Sequence, residues 1–178
     1  MNIFITADHH FNHKNIIAYC NRPFKTVEEM DNIMTEKWNN KVGKDDLVIH
    51  LGDFALGNKD KVGEIRKRLN GNIILIKGNH DRVNEGFIVV RDSIQIGNFL
   101  FSHRPIPKGE IPKGCINVHD HIHEKESLSG INVSVEKTDY EPILFEELKK
   151  KMNIKRDKKV ICTSRDLNPG ERLGKPSY

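Results

Sequence analysis

Apolar residues fall in short runs along the chain: Ile3 to Thr6, Leu47 to Leu51, Ile73 to Ile76, Phe87 to Val90, Phe99 to Phe101, Cys115 to Val118 and Ile131 to Val135. Each is rich in Ile, Val or Phe and bounded by turn formers, which predicts buried strands. Between the early runs the period changes. Val27, Met30, Ile33, Met34 and Trp38 recur at helical spacing, and Ile65 and Leu69 lie four apart within Val62 to Leu69, so both segments predict helices with one apolar face. Trp38 then belongs to a core rather than to a base-stacking platform. A last helix is expected over Leu144 to Met152. Strands alternating with helices early, then strands in close succession from Phe87 onward, predict an α/β domain with a mixed sheet.

A length of 178 residues suits one compact domain. The boundaries expected are a domain over residues 1–152 and a polar, basic, flexible tail over 153–178. Of the net charge of +4, the tail side holds the excess: residues 146–178 carry ten Lys/Arg against five Asp/Glu, and the preceding part nineteen against twenty. Lys149-Lys150-Lys151, Lys155-Arg156 and Lys158-Lys159 are either a solvated face or a contact for nucleic acid. No apolar run approaches the roughly 18 residues that cross a bilayer, so no membrane partner is expected. The start of the chain has neither a basic leader nor a small-residue cleavage site, which makes the cytoplasm the expected location. The three cysteines, Cys20, Cys115 and Cys162, include no Cys-x-x-Cys pair, so reduced thiols are expected, with Cys115 a small core residue.

The chemistry is carried by histidine. All nine, at positions 9, 10, 13, 50, 80, 103, 119, 121 and 123, lie in or just before loops that follow a predicted strand, and in α/β sheets such strand ends are where ligands bind. Five segments stand out: Asp8-His9-His10, Gly52-Asp53, Gly78-Asn79-His80-Asp81, Ser102-His103 and His119-Asp120-His121-Ile122-His123. Each alone reads as a turn or a hydrogen-bonded core histidine. Together they offer carboxylate, imidazole and amide donors without cysteine, a set that suits divalent ions such as Mn²⁺, Zn²⁺ or Fe²⁺. On a regular strand His121 and His123 point to opposite sides and cannot share one ion. On a looped strand end they could serve two neighbouring ions. A carboxylate such as Asp53 has two oxygens and can bridge cations about 3.5–4 Å apart, the separation used for displacement at phosphorus.

These segments resemble the calcineurin-like metallophosphoesterase family, whose pattern is Asp-x-His, Gly-Asp, Gly-Asn-His-Asp/Glu, His, then Gly-His-x-His. Phe11 to Ile17, Asn21-Arg22-Pro23-Phe24 and Ile49 to Phe54 add a likeness to its small single-domain bacterial, archaeal and phage members. The resemblance implies a four-layer sandwich of two packed mixed β-sheets flanked by helices. It implies two divalent metal ions, manganese first, with zinc, iron, nickel and magnesium as alternatives. One would be held by Asp8, His10, Asp53 and His123, the other by Asp53, Asn79, His103 and His121. His80 would face the substrate and assist the leaving oxygen, with Asp81 holding its imidazole. A hydroxide between the metals would attack phosphorus in line.

The residues left over have plainer readings. His13 and Arg104 are candidate phosphate contacts with loop anchoring as the alternative. His9 and His119 are expected in supporting roles, and His50 in a hydrogen-bonded core. Asp120 stands where the family has Gly; a φ > 0 there would be one that Asp tolerates. The function expected is a phosphodiesterase acting on a small diester or nucleotide rather than a protein, with a nuclease or RNA-processing enzyme and a non-catalytic metal-binding scaffold as alternatives. Oligomeric state has no signature in the sequence.

Overall fold

The structure, a computed structural model, describes residues 1–82, 86–90, 92–151 and 162–163. Parallel strands β1 (Ile3–Thr6), β2 (Leu47–His50), β3 (Asn72–Ile76) and β4 (Ile88–Val90) form one sheet, in the order β4-β3-β2-β1. Strand β9 (Ile143–Leu144) closes it by pairing antiparallel with β1. The second sheet runs β10-β5-β6-β7-β8, from β5 (Ser93–Ile96), β6 (Phe99–Ser102), β7 (Ile116–His119), β8 (Ile131–Asn132) and β10 (Cys162–Thr163). It too is mixed: β5 and β6 are antiparallel, whereas β6, β7 and β8 are parallel.

Alternation along the first sheet divides the core in two. Phe4, Val48, Ile73 and Leu75 face helices α2 (Val27–Lys41) and α3 (Lys59–Arg68), where Met30, Met34, Trp38, Val62 and Ile65 meet them. Their neighbours Ile5, Ile49, Leu51 and Ile76 point the other way, against Ile94, Phe99, Phe101 and Val118 of the second sheet. A period of two sends successive side chains to opposite faces, so strands covered on both sides read as near-continuous apolar runs. Helix α4 (Phe145–Lys151) adds Phe145 and Leu148 to the inter-sheet core. The architecture is therefore two mixed sheets flanked by helices.

Helix α2 begins at Thr26, whose hydroxyl accepts from the Glu29 N–H at 3.1 Å, and its buried face is Met30, Met34 and Trp38. The Trp38 ring is fully buried with its Nε1 donating to the Asn70 carbonyl, so it is core.

Several elements depart from the sequence pattern. The expected strand Ile131 to Val135 shortens to two residues and passes into a 3-10 turn, Val135–Lys137. Strands β5, β9 and β10 and the short helix α1 (Ile16–Tyr19) had not been expected, and Leu144, the expected start of the last helix, belongs to β9. The Cys115 side is a half-buried thiol near Gln95 Nε2, at 3.6 Å, rather than a core residue. Cys20 and Cys115 are free thiols. The expected basic tail over 153–178 lies outside the described residues apart from 162–163, as does the Met152 end of the last helix. No helix among the described residues is long and apolar enough to cross a membrane.

Candidate metal centre

Five strand ends converge. The segments after β1, β2, β3, β6 and β7 carry Asp8 to His13, Asp53, Asn79 to Asp81, His103 and Asp120 to His123 respectively. The first two loops stay zipped beyond the strands, with Asp8 N–H donating to the Gly52 carbonyl and His10 N–H to the Asp53 carbonyl, at 3.0 and 2.9 Å. Two glycines allow the loops to close. A Cβ on Gly52 would lie 2.6 Å from His103 Nδ1, and one on Gly78 would collide with the Asp53 carboxylate and backbone N.

The backbone turns sharply here. Asp8, His10, Asn12, Asp53, His121 and His123 all have φ between 50° and 69°, a left-handed conformation uncommon outside glycine and best tolerated by Asp, Asn and His. Asp120 does not share it, so that position makes no conformational demand for Gly. With His121 and His123 both left-handed, the segment is no strand and its two imidazoles go to different groups.

Among the described residues four sets of three potential ligand atoms lie within 4.8 Å of one another; two match the expected ligands, Asp8, His10 and His123 in one and Asp53, His103 and His121 in the other, and the remaining sets are Cys20, His123 and Glu136, and Asp8, His103 and Asp120. Asp53 joins the two expected groups. Its Oδ2 lies 3.5 Å from His10 Nε2, 3.7 Å from His103 Nε2 and 4.0 Å from His80 Nε2, while Oδ1 accepts from the His80 backbone N–H at 2.8 Å. Asn79 Oδ1 stands 3.0 Å from His103 Nε2, on the second group's side.

The donor set fits divalent cations. Asp8 Oδ2 is anchored by Ser134 Oγ and the His121 N–H, both at 2.8 Å, but its Oδ1 is buried without a partner. His10 Nε2 is likewise buried and unpartnered. Such groups are costly unless something satisfies them, and carboxylate with neutral imidazole is the combination that borderline divalent ions take. Burial drives His10 far below the usual histidine range and His103 down to about 3, keeping both imidazoles neutral. The Asp8 carboxyl is raised by burial, partly offset by His123 and Ser134.

His80 is 44% exposed and rims a cavity of about 410 Å³ shared with His10, His13, Tyr19, Cys20 and Ile122. A separate cavity, of about 490 Å³, lies beside Asn79, His103 and Arg104. His13 lines the first cavity and has Nδ1 3.3 Å from His10 Nδ1. Arg104 is exposed with Nη2 3.4 Å from Asn79 Oδ1.

Asp81 is placed differently from its expected role. Both carboxylate oxygens accept backbone N–H groups, from Asp53, Phe54 and Gly78 at 2.8–2.9 Å, so it binds the β2 and β3 loops together and reaches His80 through charge alone. Three converging backbone donors outcompete one half-exposed imidazole for a buried acceptor.

The supporting histidines fall where expected. The Gly52 N–H donates to His50 Nδ1, which makes Nε2 the protonated nitrogen, and that nitrogen reaches His9 Nδ1 at 3.0 Å. His119 pairs with Ser127 Oγ at 2.6 Å. Fully buried Asp120 contacts His103 Nδ1 at 3.0 Å through Oδ2, and burial beside Asp8 raises its pKa well above the usual range.

Sequence reasoning assigned no role to Arg22, Ser134 or Glu136. Arg22, fully buried, donates to the carbonyls of Asp8 and His9 at 2.7 Å and to Glu136 Oε1 at 2.7 and 2.9 Å. Glu136 Oε1 also lies 3.2 Å from His123 Nδ1. The available signal was the alternation Asn132, Ser134, Glu136 against Ile131, Val133, Val135, a polar face opposite an apolar one.

Among known proteins, a family profile described as Calcineurin-like phosphoesterase matches residues 1–175. An uncharacterized protein of Methanocaldococcus jannaschii is 36% identical over 176 residues, covering 93% of this chain and 97% of that one. The Gene 66 protein of Mycobacterium phage L5 is 38% identical over 84 residues, 45% of this chain and 40% of its own. Among solved structures, that of a protein of unknown function from Aquifex aeolicus superposes with a TM-score of 0.68 at 26% identity, covering 84% of this chain and 98% of that one.

Proposed function

Because the chain belongs to the calcineurin-like phosphoesterase family, we propose that it is a phosphodiesterase working with two divalent cations, one in each ligand group, joined by Asp53. The observation that carries this reading is the position of Asp53 Oδ2, 3.5 Å from His10 Nε2 and 3.7 Å from His103 Nε2. One carboxylate oxygen facing an imidazole from each group is what a bridging ligand requires. Asp8, His10, Asp53 and His123 would hold the first cation, and Asp53, Asn79, His103 and His121 the second. Cations so held supply Lewis acidity toward phosphoryl oxygens and a hydroxide nucleophile at neutral pH; manganese is the proposed native ion.

The protein's own groups do the rest. The Asp53 and His80 loops are clamped by Asp81, which fixes where the ligands stand. His80, on the cavity rim with its imidazole 4.0 Å from Asp53 Oδ2, would donate a proton to the departing ester oxygen. Arg104, beside Asn79, and His13, beside His10, would contact non-bridging phosphate oxygens. Two cavities bordered by residues of the ligand groups support a diester, which has two substituents to place around phosphorus. Cytoplasmic location and action on a small diester or nucleotide belong to the same reading.

The test is hydrolysis of bis-p-nitrophenyl phosphate and of the monoester by metal-stripped protein, before and after Mn²⁺. Restored activity that favours the diester is expected, as is a loss of about 10²–10⁴ in kcat for His80→Ala with both ions retained. Preference for the monoester, or full activity in that variant, would overturn the corresponding assignment.

A further inference from the structure

The Arg22–Glu136 pair is buried, with side chains 0% and 5% exposed, yet it is not built as a pair optimised for its own stability would be. Arg22 Nε and Nη2 both end on Glu136 Oε1, as does the contact from His123 Nδ1, and Oε2 is left buried with no partner. A guanidinium and a carboxylate joined for strength use both oxygens in a fork. Buried ion pairs also contribute little net stability once desolvation is counted. The arrangement is explained instead by what the two residues hold.

Arg22 gathers the carbonyls of Asp8 and His9, and so fixes the peptide around Asp8, whose φ is 57°. Glu136 holds the ring of His123, which comes from the far end of β7 in the other sheet. The segment bearing Glu136 is itself stitched to the end of β1. Val135 N–H donates to the Ala7 carbonyl, and Ser134 Oγ to Asp8 Oδ2 at 2.8 Å. Asn132 Nδ2 donates to the His123 carbonyl at 2.6 Å. Alternate residues 132, 134 and 136 thus present one polar face to the first ligand group, while fully buried Val133 and Val135 face the core.

We propose that Arg22 and Glu136 are positioning residues for the first cation: Glu136 holds the His123 ring through Nδ1, which lies 3.2 Å from Glu136 Oε1 and 3.8 Å from Asp8 Oδ2, while Arg22 locks the Asp8 backbone and holds Glu136 in place. This rests on the reading in which Asp8, His10, Asp53 and His123 hold that cation. Neither residue touches substrate. Both act through ligands, and a carboxylate that takes the second N–H of a ligand histidine fixes its tautomer and raises its basicity.

Calorimetric titration of the metal-stripped full chain with Mn²⁺ tests this, with Asp8→Asn and His121→Gln used to assign each binding event to its group. Glu136→Gln keeps the shape but not the charge and is expected to weaken the first site about 10–100-fold while leaving the second unchanged. Arg22→Lys, which keeps a charge but cannot reach both carbonyls and the carboxylate, is expected to show the same site-selective loss. Wild-type affinity at both sites in either variant would overturn the proposal, as would an equal loss at both, which marks a merely structural role. A wild-type chain that binds no Mn²⁺ is a different failure: it removes the metal reading itself.

Discussion

Asp53 stands 2% exposed among buried acids, and its carboxyl is pushed up to about 7, chiefly by burial and, against the bond from the His80 N–H, by Asp8 and Asp81. His123 shifts upward too. Burial opposes its charge, but bonds with Cys20 and Glu136 and the nearby Asp8 raise it to about 10. Both values belong to the metal-free protein, and both lie above the ordinary 3.8 and 6.5. Each group therefore contributes folding stability that is complete below its ordinary pKa and lost as pH rises through about 7 and about 10 respectively. Ligation needs the carboxylate and the neutral imidazole, so cation binding displaces these protons. At pH 7.5 the first site should release about one proton, mainly from His123, and its affinity should rise with pH. Calorimetry in buffers of different ionisation enthalpy reads this directly; binding without proton release would contradict the His123 assignment.

At the scale of elements, the site depends on loops approaching more closely than side chains allow. A Cβ on Gly78 would meet the Asp53 carboxylate and backbone together, so Gly78→Ala must displace Asp53, at a cost of about 1–3 kcal/mol for overpacking. Loss of metal-dependent activity with a chain that still unfolds cooperatively is the expected result. Wild-type activity would show that the two loops can part without harm. The glycines, like the candidate ligands, were legible because Gly-Asp and Gly-Asn-His-Asp follow strands whose apolar runs are unambiguous. Residues such as Arg22 and Glu136 were not, since their roles arise from contacts 114 positions apart that no local pattern carries. Strand β5 was missed although Gly97-Asn98, with φ of 59° at Gly97, is a two-residue hairpin signal; Ser93 and Gln95 interrupt its apolar run. Strand Ile131 to Val135 was overread because alternation continues beyond the sheet, where the same polar face turns to support Asp8 and His123. Asp81 was misjudged because its position beside His80 in sequence says nothing of the backbone donors that converge on it.

For the molecule as a whole, two sheets each deliver strand ends to one place, the first through Asp8, His10, Asp53 and Asn79, the second through His103, His121 and His123. Asp53 lies at the seam, and the inter-sheet core behind it, with Ile5, Leu51, Ile76, Phe101 and Val118 all 0% exposed, keeps the two halves in register. On the proposed reading, in which each ligand group takes one cation from donors of both sheets, the centre should need both cations before it works. Stoichiometric titration of metal-stripped protein with Mn²⁺, with diester hydrolysis followed at every addition, tests that most directly. Activity that stays near zero through the first equivalent and climbs with the second is predicted. Full activity with one ion bound, or two ions bound equally well when Asp53 is replaced by Ala, would contradict it.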